Sequence, residues 1–300
     1  MINLPAGVDI KSLIIDLREI SWKASEILLY YSQILKDPNS KSNIVKNDNI
    51  NDPVTLADLN VNKLIIKKIN EKYRHTNWEI LSEENVKLVP NNSSINSDWL
   101  WILDPLDGTR DFIQGTSNYA MHLALNYKQK PYIGFVLVPE RDELWIADGK
   151  KVWCEKKDGF KTLPNLSNNK NLKEMILVTS KNHRNETLMN LIGNLNFKEV
   201  KNMGSIGCKI ASILRGESDI YISLSLPKKS SPKDWDFAAP EAILKLSGGA
   251  ITDIYNKELI YGKSNFDQSG IIVASNNKNN HQRICNEIRS IIQKYKVLPI

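Results

Sequence analysis

Asp104 and Asp107 stand three positions apart in the run Asp104-Pro105-Leu106-Asp107-Gly108-Thr109, directly after the apolar stretch Trp99–Leu103. Pro105 fixes one backbone dihedral, and Gly108 permits a close approach or an unusual dihedral that a bulkier residue resists. A turn built this way can aim both carboxylates at one point. There they would repel by roughly a few kcal/mol at about 4 Å unless a cation compensates them. All-oxygen ligation of that cation favours Mg²⁺ over zinc. A plain capped turn is the alternative, because Asp-Pro and Asp-Gly are ordinary turn dipeptides.

Other acids stand in positions that invite the same reading. Glu83-Glu84 follows the strand-like run Trp78–Leu81, Asp236 lies in Asp234-Trp235-Asp236-Phe237-Ala238-Ala239-Pro240-Glu241 ahead of a helix, and Thr55-Leu56-Ala57-Asp58 forms a capping box with aspartate in place of glutamate. Taken singly, these are a solvated acidic loop and two helix caps. Their occurrence together, in this order, points to a site.

The elements that must position them follow from periodicity. Apolar residues recur at three- and four-residue steps from Val8 to Leu35, which predicts a long amphipathic helix, and a second helix runs from Pro53-Val54-Thr55 to Tyr73. Trp78–Leu81 and Trp99–Leu103 read as buried strands that run into carboxylates. Tyr119–Asn126, Pro131–Val138, Glu143–Ala147 and Lys151–Glu155 predict an antiparallel meander with a turn at Asp148-Gly149. The asparagine-rich segment Asn165–Asn171 suggests a boundary between an N-terminal α+β half, residues 1–165, and a C-terminal α/β half, residues 166–300. Beyond it, strands at Ile176–Thr179 and Ile220–Ile222 alternate with helices at Asn185–Leu195, Ile206–Leu214, Ala238–Leu246 and Gln282–Tyr295.

At 300 residues the chain exceeds one ordinary compact domain, so two packed lobes or one large layered unit are expected. No apolar run reaches the roughly 18 residues of a membrane-spanning helix. Met1–Asp9 lacks the basic-then-apolar pattern of a secretory leader, and the three cysteines, Cys154, Cys208 and Cys285, are scattered. The expectation is a soluble cytoplasmic protein with no membrane partner. The net charge of +6 comes from dispersed lysines in a chain that also holds 33 asparagines, so it reads as a compositional bias and not as a nucleic-acid footprint.

The ordered set Asp52-Pro53-Val54-Thr55-Leu56-Ala57-Asp58, Leu81-Ser82-Glu83-Glu84, Asp104-Pro105-Leu106-Asp107-Gly108-Thr109 and Trp235-Asp236-Phe237-Ala238-Ala239 resembles the inositol-monophosphatase superfamily of Mg²⁺-dependent, lithium-sensitive phosphatases over roughly Val8 to Ser275. The resemblance implies a five-layered αβαβα sandwich of the sugar-phosphatase type, an α+β half followed by an α/β half, and two or three Mg²⁺ per active site. It implies Glu83, Asp104, Asp107, Asp236 and the carbonyl of Leu106 as metal ligands. It also implies that Asp58 hydrogen-bonds Thr109 rather than merely capping its helix, and that this pair and Glu83 orient the attacking water. Backbone N–H groups at Gly108-Thr109 and at a helix start near Ala238-Ala239 are suited to hold phosphate oxygens.

Met203-Gly204-Ser205-Ile206-Gly207-Cys208-Lys209, together with Ser180 to His183 and Arg215 to Tyr221, is similar to the 3′(2′),5′-bisphosphate nucleotidase branch. This implies a small phosphorylated nucleotide, 3′-phosphoadenosine 5′-phosphate, as substrate. Lys209, His183 and Arg184 would then form a second anion site, with Ser205 and Asp236 also at the substrate and Lys228, Lys229 and Lys233 as further candidates. A sugar phosphatase acting on inositol monophosphate or fructose bisphosphate is the near alternative, and a non-enzymatic anion binder the distant one. Monomer and homodimer are both compatible with the sequence.

Overall fold

The computed structural model describes residues 4–37, 41–47, 54–88, 95, 97–166, 170–182, 186–225 and 231–297; Asp52, Pro53, His183, Arg184, Lys228 and Lys229 lie outside the described residues. In chain order the elements are α1 (Ile10–Ile34), α2 (Lys41–Ile44), β1 (Val45–Asn47), β2 (Val54–Thr55), α3 (Leu56–Tyr73), β3 (Glu79–Ser82), α4 (Glu83–Leu88), β4 (Trp99–Asp107), α5 (Thr109–Ile113), β5 (Ala120–Tyr127), β6 (Lys130–Val138), β7 (Glu143–Ala147), β8 (Val152–Glu155) and β9 (Lys161–Thr162). There follow β10 (Ile176–Ser180), α6 (Glu186–Leu195), β11 (Glu199–Met203), α7 (Ile206–Leu214), β12 (Ile220–Ser225), α8 (Asp234–Leu246), β13 (Ala250–Asp253), β14 (Gly270–Ser275) and α9 (Lys278–Tyr295).

Strands β3 to β9 form a seven-stranded sheet in sequence order, and β11-β10-β12-β14-β13 form a five-stranded sheet. The apolar stripe of α1, with Leu13, Leu17, Ala24 and Leu28, packs with Val61 and Ile65 of α3 on one face of the larger sheet. The opposite face, with Leu100, Ile102, Ala124 and Val136, packs on Ile210 and Ile213 of α7 and on Ala238, Ala239 and Ala242 of α8. Those two helices are covered in turn by Tyr221, Ile272 and Ala274 of the smaller sheet. The far face of that sheet, with Leu177, Ile220, Ile222 and Val273, buries α6 and α9. The stack is the αβαβα sandwich expected from the sequence. Cys154, Cys208 and Cys285 are all buried free thiols.

Two boundaries differ from expectation in ways that bear on the site. Strand β4 does not stop at Leu103; it runs through the motif to Asp107, with a bulge between Asp104 and Asp107. Helix α8 begins at Asp234, four residues before the expected start, because Asp236 at its third position accepts the N–H of Lys233 at 2.6 Å and so closes an earlier first turn. The N–H groups of Ala238 and Ala239 therefore lie inside the helix and do not open it. Strands β11, β13 and β14 were not anticipated.

Candidate active site

The bulge decides where Asp107 points. Along β4, Trp101 and Leu103 face α1 and α3, whereas Leu100 and Ile102 face α7 and α8. Asp104 follows the second set by simple alternation. Asp107 would follow the first. Between the pairs Asp104–His122 and Asp107–Ala120, however, Pro105 and Leu106 stand opposite the single residue Met121. The extra residue reverses the alternation: Leu106 joins the α1 and α3 core, and Asp107 turns to the side of Asp104. Gly108 then takes a left-handed conformation (φ +88°) at the start of α5, where a Cβ would press on the carbonyl of Asn118 at 2.8 Å.

Asp236, on the first turn of α8, completes a group of three with Asp104 and Asp107, one ligand atom from each lying within 4.8 Å of the others. Each of the three is fixed through one oxygen. Asp104 Oδ1 accepts the N–H of Leu106 at 3.0 Å, and Asp236 Oδ2 accepts that of Lys233. Asp107 Oδ2 accepts the hydroxyl of Ser205 at 2.7 Å and the N–H of Gly207 at 3.1 Å. Glu83, at the start of α4, reaches Asp104 and lines the same cleft, which has a volume of about 480 Å³. Burial holds Asp104 well above the usual carboxylate range, and the charges of Glu83, Asp107 and Asp236 add to it. Asp236 is raised likewise, by burial first and then by Asp107. Buried like charges of this kind call for a cation, and the donor set, being carboxylate oxygen together with the nearby carbonyl of Leu106, suits a hard divalent ion.

Asp58 does two things at once. Its Oδ2 accepts from the backbone N–H and hydroxyl of its cap Thr55, at 2.8 and 2.6 Å, while Oδ1 lies 3.3 Å from Thr109 Oγ1. The Thr109 hydroxyl also lies 2.9 Å from the Leu106 carbonyl. Burial pushes Asp58 up to about 8, with the Thr55 hydroxyl opposing and Glu84 and Glu83 reinforcing. Helix α3 is clamped to α4 one turn further on. Asn62 donates to Asn85 at 3.0 Å and accepts from the Ser82 hydroxyl at 2.5 Å, tying the segment that holds Asp58 to the one that holds Glu83.

Ser205 caps α7 at φ +38°, with its hydroxyl proton committed to Asp107 and its oxygen accepting the N–H of Cys208 at 3.1 Å. Lys209, only 2% exposed, lines the cleft with its ammonium 3.1 Å from the Ser205 carbonyl and 5.4 Å from the centre of the Tyr221 ring. Burial lowers its pKa, and the charges of Asp107 and Asp236 work against that. Lys233 reaches away from the carboxylates, to Asp267 at 2.6 Å.

Four residues at this site are not among those the sequence singled out. His122 is buried against Asp107. Asp111 accepts from Thr116 at 2.7 Å and from Asn182 at 2.6 Å and so joins α5 to the loop that follows β10. Lys87 pairs with Glu83, and Asn62 clamps α4. A histidine in an otherwise apolar strand, Met121-His122-Leu123, was a usable signal; the others are assembled only by tertiary contact.

The inositol monophosphatase family model matches residues 9–293. The chain belongs to that family. It is accordingly a phosphatase of the metal-dependent hydrolase kind. A 3′(2′),5′-bisphosphate nucleotidase CysQ of Buchnera aphidicola is 30% identical over 71% of this chain and 76% of the relative. The Nus factor SuhB of Escherichia coli is 29% identical over 75% and 79%. Among solved structures, 2′AMP-bound SaIMPase-II superposes with a TM-score of 0.68 at 22% identity over 95% of this chain and 99% of that one, and its inositol monophosphate-bound form with 0.69 at 21% identity over 95% and 96%. Among the described residues, no helix of this family member is long and apolar enough to cross a membrane.

Proposed function

We propose that this family member is a Mg²⁺-dependent phosphomonoesterase that removes the 3′-phosphate of 3′-phosphoadenosine 5′-phosphate, giving AMP and phosphate. The observation that carries the reaction is the convergence of Asp104, Asp107 and Asp236 in one cleft with Glu83 beside them. The choice of nucleotide is supported by the buried Lys209 in the same cleft, a cation suited to a phosphate of a doubly phosphorylated substrate, and by the nucleotidase relatives.

Glu83, Asp104, Asp107, Asp236 and the carbonyl of Leu106 would hold the metal. Bound there, Mg²⁺ would supply Lewis-acid polarisation of the phosphoryl and leaving oxygens and ease deprotonation of the attacking water. Thr109 Oγ1 receives the water proton as its own passes to Asp58 Oδ1, which acts in its ionised form. Glu83 orients the same water. The N–H groups of Gly108 and Thr109 would bind phosphate oxygens, and the Ser205–Asp107 bond keeps the cradle in register. In this reading residues 1–165 supply most of the metal site and residues 166–300 select the alcohol, with Asp236 crossing between the two roles.

A substrate panel tests the reading. Inorganic phosphate release is measured at matched low concentrations of the bisphosphorylated nucleotide, inositol 1-phosphate and fructose 1,6-bisphosphate, with and without Mg²⁺. A strong preference for the nucleotide is expected. A preference for either sugar phosphate would replace the substrate while keeping the chemistry, and no release from any of them would reject both.

A further inference from the structure

Helix α4 places a cation among the acids at the mouth of the cleft. Lys87 Nζ lies 3.0 Å from Glu83 Oε1 and 3.1 Å from Glu84 Oε1, one helical turn along from each. All three sit away from bulk water: Glu84 is buried, and the Glu83 and Lys87 side chains are 16% and 24% exposed. Lys87 lines the same cleft wall as Glu83 and Asp104. The Glu83 carboxylate is therefore claimed from two sides, by the Lys87 ammonium and by the group around Asp104.

A divalent ion held by Glu83 and Asp104 draws on the same carboxylate and stands within Coulombic reach of a like charge. At that separation, in a partly dehydrated cleft, one unit charge shifts cation binding by a readily measured factor. Lys209, another lysine of the cleft, gives one of its N–H bonds to the Ser205 carbonyl instead. Lys87 differs in bonding a proposed ligand directly.

We infer that Lys87 sets the affinity of the site for divalent cations, its ammonium acting as an internal competitor for Glu83, so that occupancy follows the Mg²⁺ concentration instead of saturating at trace levels. The inference rests on Glu83 being a metal ligand as proposed above. It deepens that reading by assigning the regulation of the site to a residue outside the ligand set.

The test is calorimetric titration of the metal-stripped full chain with Mg²⁺, at low and at high NaCl. Lys87→Gln is expected to bind Mg²⁺ about three- to tenfold more tightly than the unaltered chain, with the gap narrowing in high salt, and Lys87→Arg to bind as the unaltered chain does. Lys87→Met replaces the glutamine variant if that one does not fold, as judged by melting in EDTA. An unchanged or weaker Mg²⁺ affinity in Lys87→Gln overturns the inference, since it would make Lys87 a brace for α4. Failure of the unaltered chain to bind Mg²⁺ at all would instead reject the metal reading beneath it.

Discussion

The imidazole Nε2 of His122 lies 3.2 Å from Asp107 Oδ2, and its Nδ1 lies 3.2 Å from the carbonyl of Trp235. One buried ring thus spans β5, the bulge that carries Asp107 and the start of the helix that carries Asp236. Burial favours its neutral form, which has a single N–H for two acceptors, so the ring is a spacer as much as a donor.

Gly207 is what lets α7 close over that ring, because a Cβ there would overlap His122 Nε2. Gly207→Ala should cost about 1–3 kcal/mol of stability, as overpacked sites do. It should also lower kcat, since the N–H that steadies Asp107 comes from residue 207 itself. Thermal melts and initial rates on the same preparation check both effects.

The pH dependence of stability follows from the raised carboxyls. Asp58, at about 8, and Asp104 and Asp236 ionise in the unfolded chain near pH 4. From about pH 4 to 8 the folded state holds more protons than the unfolded state, so metal-free stability falls as pH rises through that window. In EDTA the melting temperature should drop between pH 5 and pH 8, and Mg²⁺ should restore most at the upper end while releasing protons. Titrations in buffers of different ionisation enthalpy count those protons; a flat EDTA profile would contradict the assignment.

Asp104→Asn keeps an oxygen for the N–H of Leu106 and removes the charge. The fold should survive, with Mg²⁺ binding weakened and turnover reduced by about 10²–10³-fold or more. Circular dichroism with phosphate-release assays measures this, and near-normal turnover would remove Asp104 from the site.

Asn62→Ala releases the clamp between α3 and α4 without touching substrate. The expected effect is a roughly 10- to 100-fold loss in kcat, the range seen for outer supporting partners, with little change in KM. If KM rises instead with kcat intact, the clamp serves binding and not the orientation of Glu83 and Asp58.

Lys209→Ala should raise KM for the bisphosphorylated nucleotide about tenfold or more, the worth of one charge-assisted hydrogen bond, and raise it less for a monophosphate. Equal effects on the two substrates would assign Lys209 to holding Ser205 and Tyr221 in place.

The parts of the fold legible in the sequence were those governed by short-range rules. The stripe of α1, the meander from β5 to β8 and the Thr55-Asp58 cap depend on spacing along the chain alone. The three aspartates were legible because a strand, a proline and a glycine stand next to two of them, and a helix start next to the third. Their companions were not. Lys87 gains meaning only from the direction of Glu83, and Asn62 only from Ser82 and Asn85 across a loop. Strand β11, Glu199-Val200-Lys201-Asn202-Met203, is a polar edge strand with no alternation to detect. Strand β14 had a usable run in Ile271-Ile272-Val273-Ala274. Helix α8 misled because Pro240, at home in a first turn, sits in the second.

The extra residue in β4 makes the side on which Asp107 falls a matter of pairing and not of sequence spacing. Were Pro105 and Leu106 each to take its own partner on β5, Asp107 would enter the apolar layer beneath α1 and α3, whereas a chain lacking either residue would return to plain alternation and keep Asp107 on the side of Asp104. A library of single-codon deletions would therefore separate two classes: a loss within Trp99–Leu103 reverses the faces of the strand relative to Asp104, while loss of Pro105 or Leu106 leaves both carboxylates on one side.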